Sequence, residues 1–272
     1  MWTTQGKSIQ LVIFDWGGTT VDFGCFAPVT AFHQTFARHQ IALTPAQVRE
    51  PMGLSKKEHL RALLQLPAVA EQWRQVHGQD WNEQDLESLY HEFLPWQVQA
   101  IDSHSRLVPG LLDCVAELRR RSIRIGATTG YFRQAAERLY AAAGQQGYVP
   151  DYCICAEEVP AGRPAPWMIF RTLEALGVYP PALVVKVGDT APDIAEGRNA
   201  GSWSVGVTRT GSEVGCTEEE LERIPEPQRQ EKLAAARSKL FEAGAHSVIE
   251  SVAQLPAVLS DFARSLQRGE TP

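Results

Sequence analysis

Leu11-Val12-Ile13-Phe14-Asp15-Trp16-Gly17-Gly18-Thr19-Thr20 is the stretch that decides the fold. Four apolar residues read as a short buried strand that ends on an aspartate, and a glycine-rich turn follows. A buried sheet delivers a carboxylate to a phosphate-sized pocket in this way. Position 17, two residues after Asp15, holds glycine, so no second carboxylate stands there.

Outward from this strand, residues 122–128, 152–156, 182–187 and 202–207 repeat the short apolar pattern, and 246–250 reads as a last edge strand. Helical stretches at 110–121, 132–143, 166–176 and 191–200 separate them. Strands alternating with helices predict an α/β fold, a parallel Rossmannoid sheet covered on both faces. Ligands of such sheets bind beyond the carboxyl ends of the strands, where Asp15, Thr129 and Asp189 fall. Residues 23–105 break the pattern. Helical periodicity at 26–39, 44–52, 55–66, 68–77 and 82–100 predicts an all-helical cap domain, inserted into a core made of 1–22 and 106–272. Such a cap excludes water and carries groups that recognise substrate. The charged segment 217–244 reads as a solvated helix pair.

The 272 residues suffice for one sizeable α/β domain with an insert. A net charge of −6 leaves no electrostatic footprint for nucleic acid or an anionic membrane. No apolar run is long enough to span a bilayer, and the polar residues 1–10 do not form a secretory signal. Five scattered cysteines predict a reducing, cytoplasmic setting.

Four elements carry phosphoryl-transfer chemistry. Asp15 supplies the nucleophile, splitting one displacement into two. Thr129 offers a hydroxyl, and Arg163 a fixed positive charge, to phosphoryl oxygens. Asp189 and Asp193 stand four apart around a helix start, a set suited to a hard divalent cation such as Mg2+. Without a cation, a carboxylate attacking a phosphoryl dianion meets like-charge repulsion.

These motifs resemble the haloacid-dehalogenase superfamily, whose phosphatases place a second aspartate two positions after the first as proton donor; with Gly17 there, the resemblance implies a leaving group activated by another route. Longer stretches are similar to its phosphonoacetaldehyde hydrolase (phosphonatase) family over nearly the whole chain. They include Gly24-Cys25-Phe26-Ala27-Pro28, Pro51-Met52-Gly53-Leu54, Thr128-Thr129-Gly130-Tyr131, Val159-Pro160-Ala161-Gly162-Arg163-Pro164 and Lys186-Val187-Gly188-Asp189-Thr190. The family typically has alanine at position 17, which also lacks a carboxylate. The resemblance implies Asp15 as nucleophile and Lys56 as a Schiff-base amine. It implies Asp15, the Gly17 carbonyl and Asp189 as magnesium ligands, supported by Asp193, and a homodimer. It also implies a small phosphonate substrate derived from 2-aminoethylphosphonate. Expelling a bare carbanion is prohibitively uphill, whereas an iminium on Lys56 drains electrons and leaves as a neutral enamine. Lys57 is the immediate rival, but spacing predicts that Met52, Lys56 and His59 share a helix face from which Lys57 points about 100° away. On this view Met52 gives apolar cover and His59 relays protons, while Cys25, Gly130 and Tyr131 line the pocket. Two alternatives stay open: a phosphate-monoester phosphatase, and a non-catalytic relative that binds a phosphorylated ligand.

Overall fold

The computed structural model describes residues 8–272; the polar start, residues 1–7, lies outside the described residues. Six strands form one sheet: β1 (Leu11–Phe14), β2 (Arg124–Thr129), β3 (Tyr152–Cys155), β4 (Val184–Gly188), β5 (Trp203–Val207) and β6 (Ser247–Ile249). Their order is β3-β2-β1-β4-β5-β6, and every pairing is parallel. The chain moves outward to one side of β1 and then to the other, so the topological switch point lies between β1 and β4. Asp15 and Asp189 flank it, each just past its strand.

Alternation along β1 divides the core. Leu11 and Ile13 pack with Ile169 and Leu173 of α8 (Trp167–Leu176). Val12 and Phe14 face the other way, into a larger cluster with Leu111 and Leu118 of α6 (Leu111–Arg120) and Ala135 and Leu139 of α7 (Arg133–Gln145). Both faces are covered, which is why β1 is apolar without polar alternation and β4 is interrupted only by the buried Lys186. α9 (Ala191–Asn199) follows β4, with Thr190 and Asp193 forming a capping box at its start.

Between β1 and α6 run α1 (Phe26–Arg38), α2 (Pro45–Arg49), α3 (Lys56–Gln65), α4 (Pro67–His77) and α5 (Glu83–Ser103). They form the helical cap. The apolar face of α1, including Phe32 and Phe36, is buried, and Phe32 stacks on Phe93 of α5 with centroids 4.6 Å apart. The larger cluster runs continuously from the sheet into these helices.

Three local expectations change. Met52 and Lys56 do not share one helix: α2 ends at Arg49, and a turn containing Gly53 (φ +96°) separates it from α3. Spacing along a helix says nothing across such a break. The 217–244 pair, α10 (Glu218–Arg223) and α11 (Glu226–Glu242), is not purely solvated, because α11 buries Leu233, Ala236 and Leu240. Finally, α12 (Leu255–Gln267) went unforeseen; its Leu255, Leu259, Phe262 and Leu266 close the larger cluster.

Candidate active site

The strand ends converge on a small chamber of about 20 Å³, lined among others by Asp15, Gly17, Cys25, Met52, Thr129 and Arg163. Gly130, Tyr131, Lys56, Asp189 and Asp193 complete this wall. Eleven of the twelve predicted site residues are therefore brought together; His59 stands behind Lys56 and outside the wall. A wider cleft of about 740 Å³ opens on the other side of Lys56. Lys56, Gly130, Tyr131 and Arg163 line both spaces, so they form the neck between them.

Asp15 is buried, and Arg163 Nη1 lies 2.7 Å from its Oδ1. Burial pushes the Asp15 carboxyl up to about 6, and the nearby Asp193 charge adds to the effect. Asp189 accepts from Thr19 Oγ1 at 3.0 Å and from the Ser212 N–H at 2.7 Å. Burial, then Asp15 and Asp193, push its carboxyl well above the usual range. Burial also opposes ionisation of Asp193, but Arg163 and Lys186 outweigh it and hold that carboxyl low.

Arg163 is anchored from behind. Its Nε lies 3.0 Å from Glu196 Oε2, and its Nη2 donates to Thr128 O at 2.9 Å and Thr128 Oγ1 at 2.7 Å. Lys186 Nζ, fully buried, lies 3.1 Å from both Asp193 Oδ1 and Glu196 Oε2, and donates to Thr128 Oγ1 at 2.7 Å. Sequence reasoning missed Lys186, Glu196 and Thr128. A lysine inside an apolar strand is the signal that could have found them, because a buried charge needs partners.

Oxygens of the buried Asp15, Asp189 and Asp193 all lie within 4.8 Å of one another. An all-oxygen set of three carboxylates fits a hard divalent cation.

Lys56 opens α3, where the positive end of the helix dipole disfavours an ammonium. It is buried, with Nζ 4.9 Å from the Tyr131 ring centroid and 5.8 Å from that of Phe32. Burial brings its amine down to about 8, although the nearby Cys25 and Asp15 charges resist. Lys57 points into the outer cleft and pairs with Glu87. His59, fully buried, donates Nε2–H to Val48 O at 2.8 Å, which leaves Nδ1 as an unpaired acceptor. Burial and Lys56 push its imidazole well below 6.5, so it is neutral. Gln97 of α5 is also fully buried with no partner for its amide among the described residues, and it lies beside the Tyr131 phenol. One glutamine on a long helix carries no signal in the sequence.

Part of the cap's seat on the core is close approach at glycines. A Cβ on Gly130 would come within 2.6 Å of Leu54 O, and one on Gly53 within 2.3 Å of Thr190 Oγ1. Arg49 Nη1 donates to Gly24 O at 2.6 Å and Ser212 O at 3.3 Å, and its Nη2 to Gly215 O at 3.3 Å.

Residues 9–201 match the haloacid dehalogenase-like hydrolase family. A phosphonoacetaldehyde hydrolase of Syntrophobacter fumaroxidans is 44% identical over 264 residues, covering 97% of this chain and 95% of the relative. One from Bacillus cereus is 44% identical over 251 residues, covering 92% and 95%. A crystal structure of a phosphonoacetaldehyde hydrolase-like protein from Oleispira antarctica superposes with a TM-score of 0.96 at 40% identity, covering 97% and 96%. With this fold and this degree of identity, the chain belongs to the phosphonoacetaldehyde hydrolase family of haloacid dehalogenase-like hydrolases.

Proposed function

We propose that this enzyme hydrolyses the carbon–phosphorus bond of phosphonoacetaldehyde to acetaldehyde and phosphate, in the breakdown of 2-aminoethylphosphonate. One observation carries the proposal: a buried lysine amine stands at the neck of a chamber that holds a nucleophilic carboxylate and has no acid at position 17. Lys56 condenses with the aldehyde. Asp15 attacks phosphorus in line while Arg163 and Thr129 hold the oxygens. The C–P electron pair moves into the enamine, which is protonated at carbon, and hydrolysis of the imine frees acetaldehyde. Water then cleaves the aspartyl phosphate. Neutral His59, behind Lys56, accepts protons at Nδ1 through water, and Met52 keeps the amine dry. Cys25, Gly130 and Tyr131 shape the pocket.

Asp15, the Gly17 carbonyl, Asp189 and Asp193 are the groups that would hold Mg2+. When bound, the ion neutralises charge on the phosphoryl oxygens. Adding Mg2+ should raise the melting temperature, because the ion stabilises the folded state alone, by about 2.7 kcal/mol at a hundred times its Kd. Asp189→Asn should abolish most of that rise. A melting temperature indifferent to Mg2+ would remove the metal assignment.

The proposed division is a cap at 23–105 over a core of 1–22 and 106–272. Among the described residues no helix is long and apolar enough to cross a membrane. A cytoplasmic location and a homodimer accompany this function.

The test is acetaldehyde release from phosphonoacetaldehyde with Mg2+ present, coupled to NADH oxidation by alcohol dehydrogenase. Acetaldehyde should appear one-for-one with phosphate and stop on chelation, with the coupling enzyme checked on acetaldehyde alone. Brisk turnover of aryl phosphates without acetaldehyde release would favour an ester phosphatase.

A further inference from the structure

Position 17 is not glycine for backbone reasons. Its φ lies outside the left-handed range, so any L residue fits the main chain there. Gly18 is the contrast: its φ is +82°, and a Cβ would meet Asp189 Oδ2 at 2.5 Å. What limits position 17 is the space in front of it. A Cβ there would lie 3.2 Å from Cys25 Sγ and 3.6 Å from Tyr131 Oη. A Cβ is accommodated after a shift of a few tenths of an ångström, and any longer side chain starts out against the thiol and the phenol.

The thiol is held there against the backbone's preference. Cys25 has φ 56° and ψ 56°, a left-handed conformation that disfavours a residue with a Cβ. Its N–H donates to Asp22 O at 2.7 Å. The Asp22 carboxylate accepts from the Phe26 and Ala27 N–H groups at 2.9 and 2.8 Å and so pins the turn to the start of α1. Tyr131 is fixed by its own N–H, which donates to Thr129 Oγ1 at 3.1 Å, and its ring lies under the Lys56 amine.

We propose that Cys25 and the Tyr131 hydroxyl are specificity-determining residues: meeting above Gly17, they fill the volume in which an acid side chain would protonate an ester oxygen, and so restrict the site to leaving groups activated on Lys56. This rests on the reaction proposed above. With a phosphate monoester, Asp15 attacks phosphorus, the P–O bond breaks and its electron pair stays on oxygen. That oxygen needs a proton from an acid at this place; the enamine does not.

The experiment is hydrolysis of an alkyl phosphate monoester with Mg2+, read as released phosphate, by Gly17→Asp, Cys25→Gly and the pair Gly17→Asp/Cys25→Gly. Glycine suits the left-handed backbone at 25, so that change opens space without adding strain. The pair should be about 100-fold faster than either single variant, the scale of a positioned general acid. Gly17→Asp alone matching the pair would overturn the proposal. So would a folded pair variant that binds inorganic phosphate and is no faster than the singles. If Gly17→Asp fails to fold, melting temperatures of Gly17→Val with and without Cys25→Gly report the same contact. The valine should cost less stability beside the glycine, and equal losses would overturn the proposal. Acetaldehyde release by the unaltered enzyme scores the reaction separately, so the two ideas fail independently.

Discussion

Acetaldehyde release will fall by about 10⁴-fold or more when Asp15 becomes asparagine, the scale seen when a nucleophile is removed. The two side chains have the same shape, and Arg163 Nη1, 2.7 Å from Asp15 Oδ1, can still meet the amide oxygen. The chamber therefore keeps its form while losing a group able to attack phosphorus. The variant should still condense substrate onto Lys56. Borohydride reduction followed by mass measurement should then show an adduct on Lys56 that keeps its phosphonate, because the C–P bond is never broken. Near-normal turnover would assign the nucleophile elsewhere, and a phosphate-free adduct would mean that C–P cleavage does not need Asp15.

Lys56→Arg should be equally severe, again about 10⁴-fold or more, because arginine keeps a positive charge but has no free amine at any working pH. The pH dependence of the unaltered enzyme gives a second measurement. With the amine brought down to about 8 by burial, roughly one enzyme in ten carries a free amine at pH 7. An unshifted lysine, near ~10.4, would supply fewer than about one in a thousand. The reactive form is the deprotonated one, so kcat/KM should rise about tenfold per pH unit below 8 and level off above it. A limb still climbing steeply at pH 10 would mean that burial does not tune this amine. Lys57→Arg, a change in the outer cleft, should leave the profile in place.

Much of this site was legible in the sequence because local patterns carry it. β1, β2, β4 and β5 are apolar runs bounded by glycine, proline or acid, and their ends hold Asp15, Thr129 and Asp189 wherever the helices lie. Lys56 was set apart from Lys57 by the family resemblance, and although the helix face it was to share with Met52 does not exist, the structure turns the two lysines in different directions. Met52 reaches the chamber through a turn rather than along a helix face, and periodicity cannot follow a chain through a glycine with positive φ. α12 was missed although its buried Leu255, Leu259, Phe262 and Leu266 recur at helical spacing, a signal the sequence did carry. The Lys186–Glu196–Thr128 anchor was invisible for a different reason. Its members are 10 to 68 residues apart, and only the pairing of β2 with β1 and β1 with β4 brings them together. The unpaired amide of Gln97 belongs to the same class.

At the seam between cap and core, bare α-carbons and carbonyls meet the cap: Gly130 lies against Leu54 O, and Arg49 of the cap reaches the carbonyls of Ser212 and Gly215. Apart from Arg49, these contacts ask for no particular cap side chain. The inner faces of α3 and α5 could be rewritten for another aldehyde with Arg49 and these contacts kept. Fit to the substrate and the mechanics of enclosure are, in this protein, separately adjustable parts. A designer seeking a new carbon–phosphorus substrate would begin with those helix faces and leave the glycines alone.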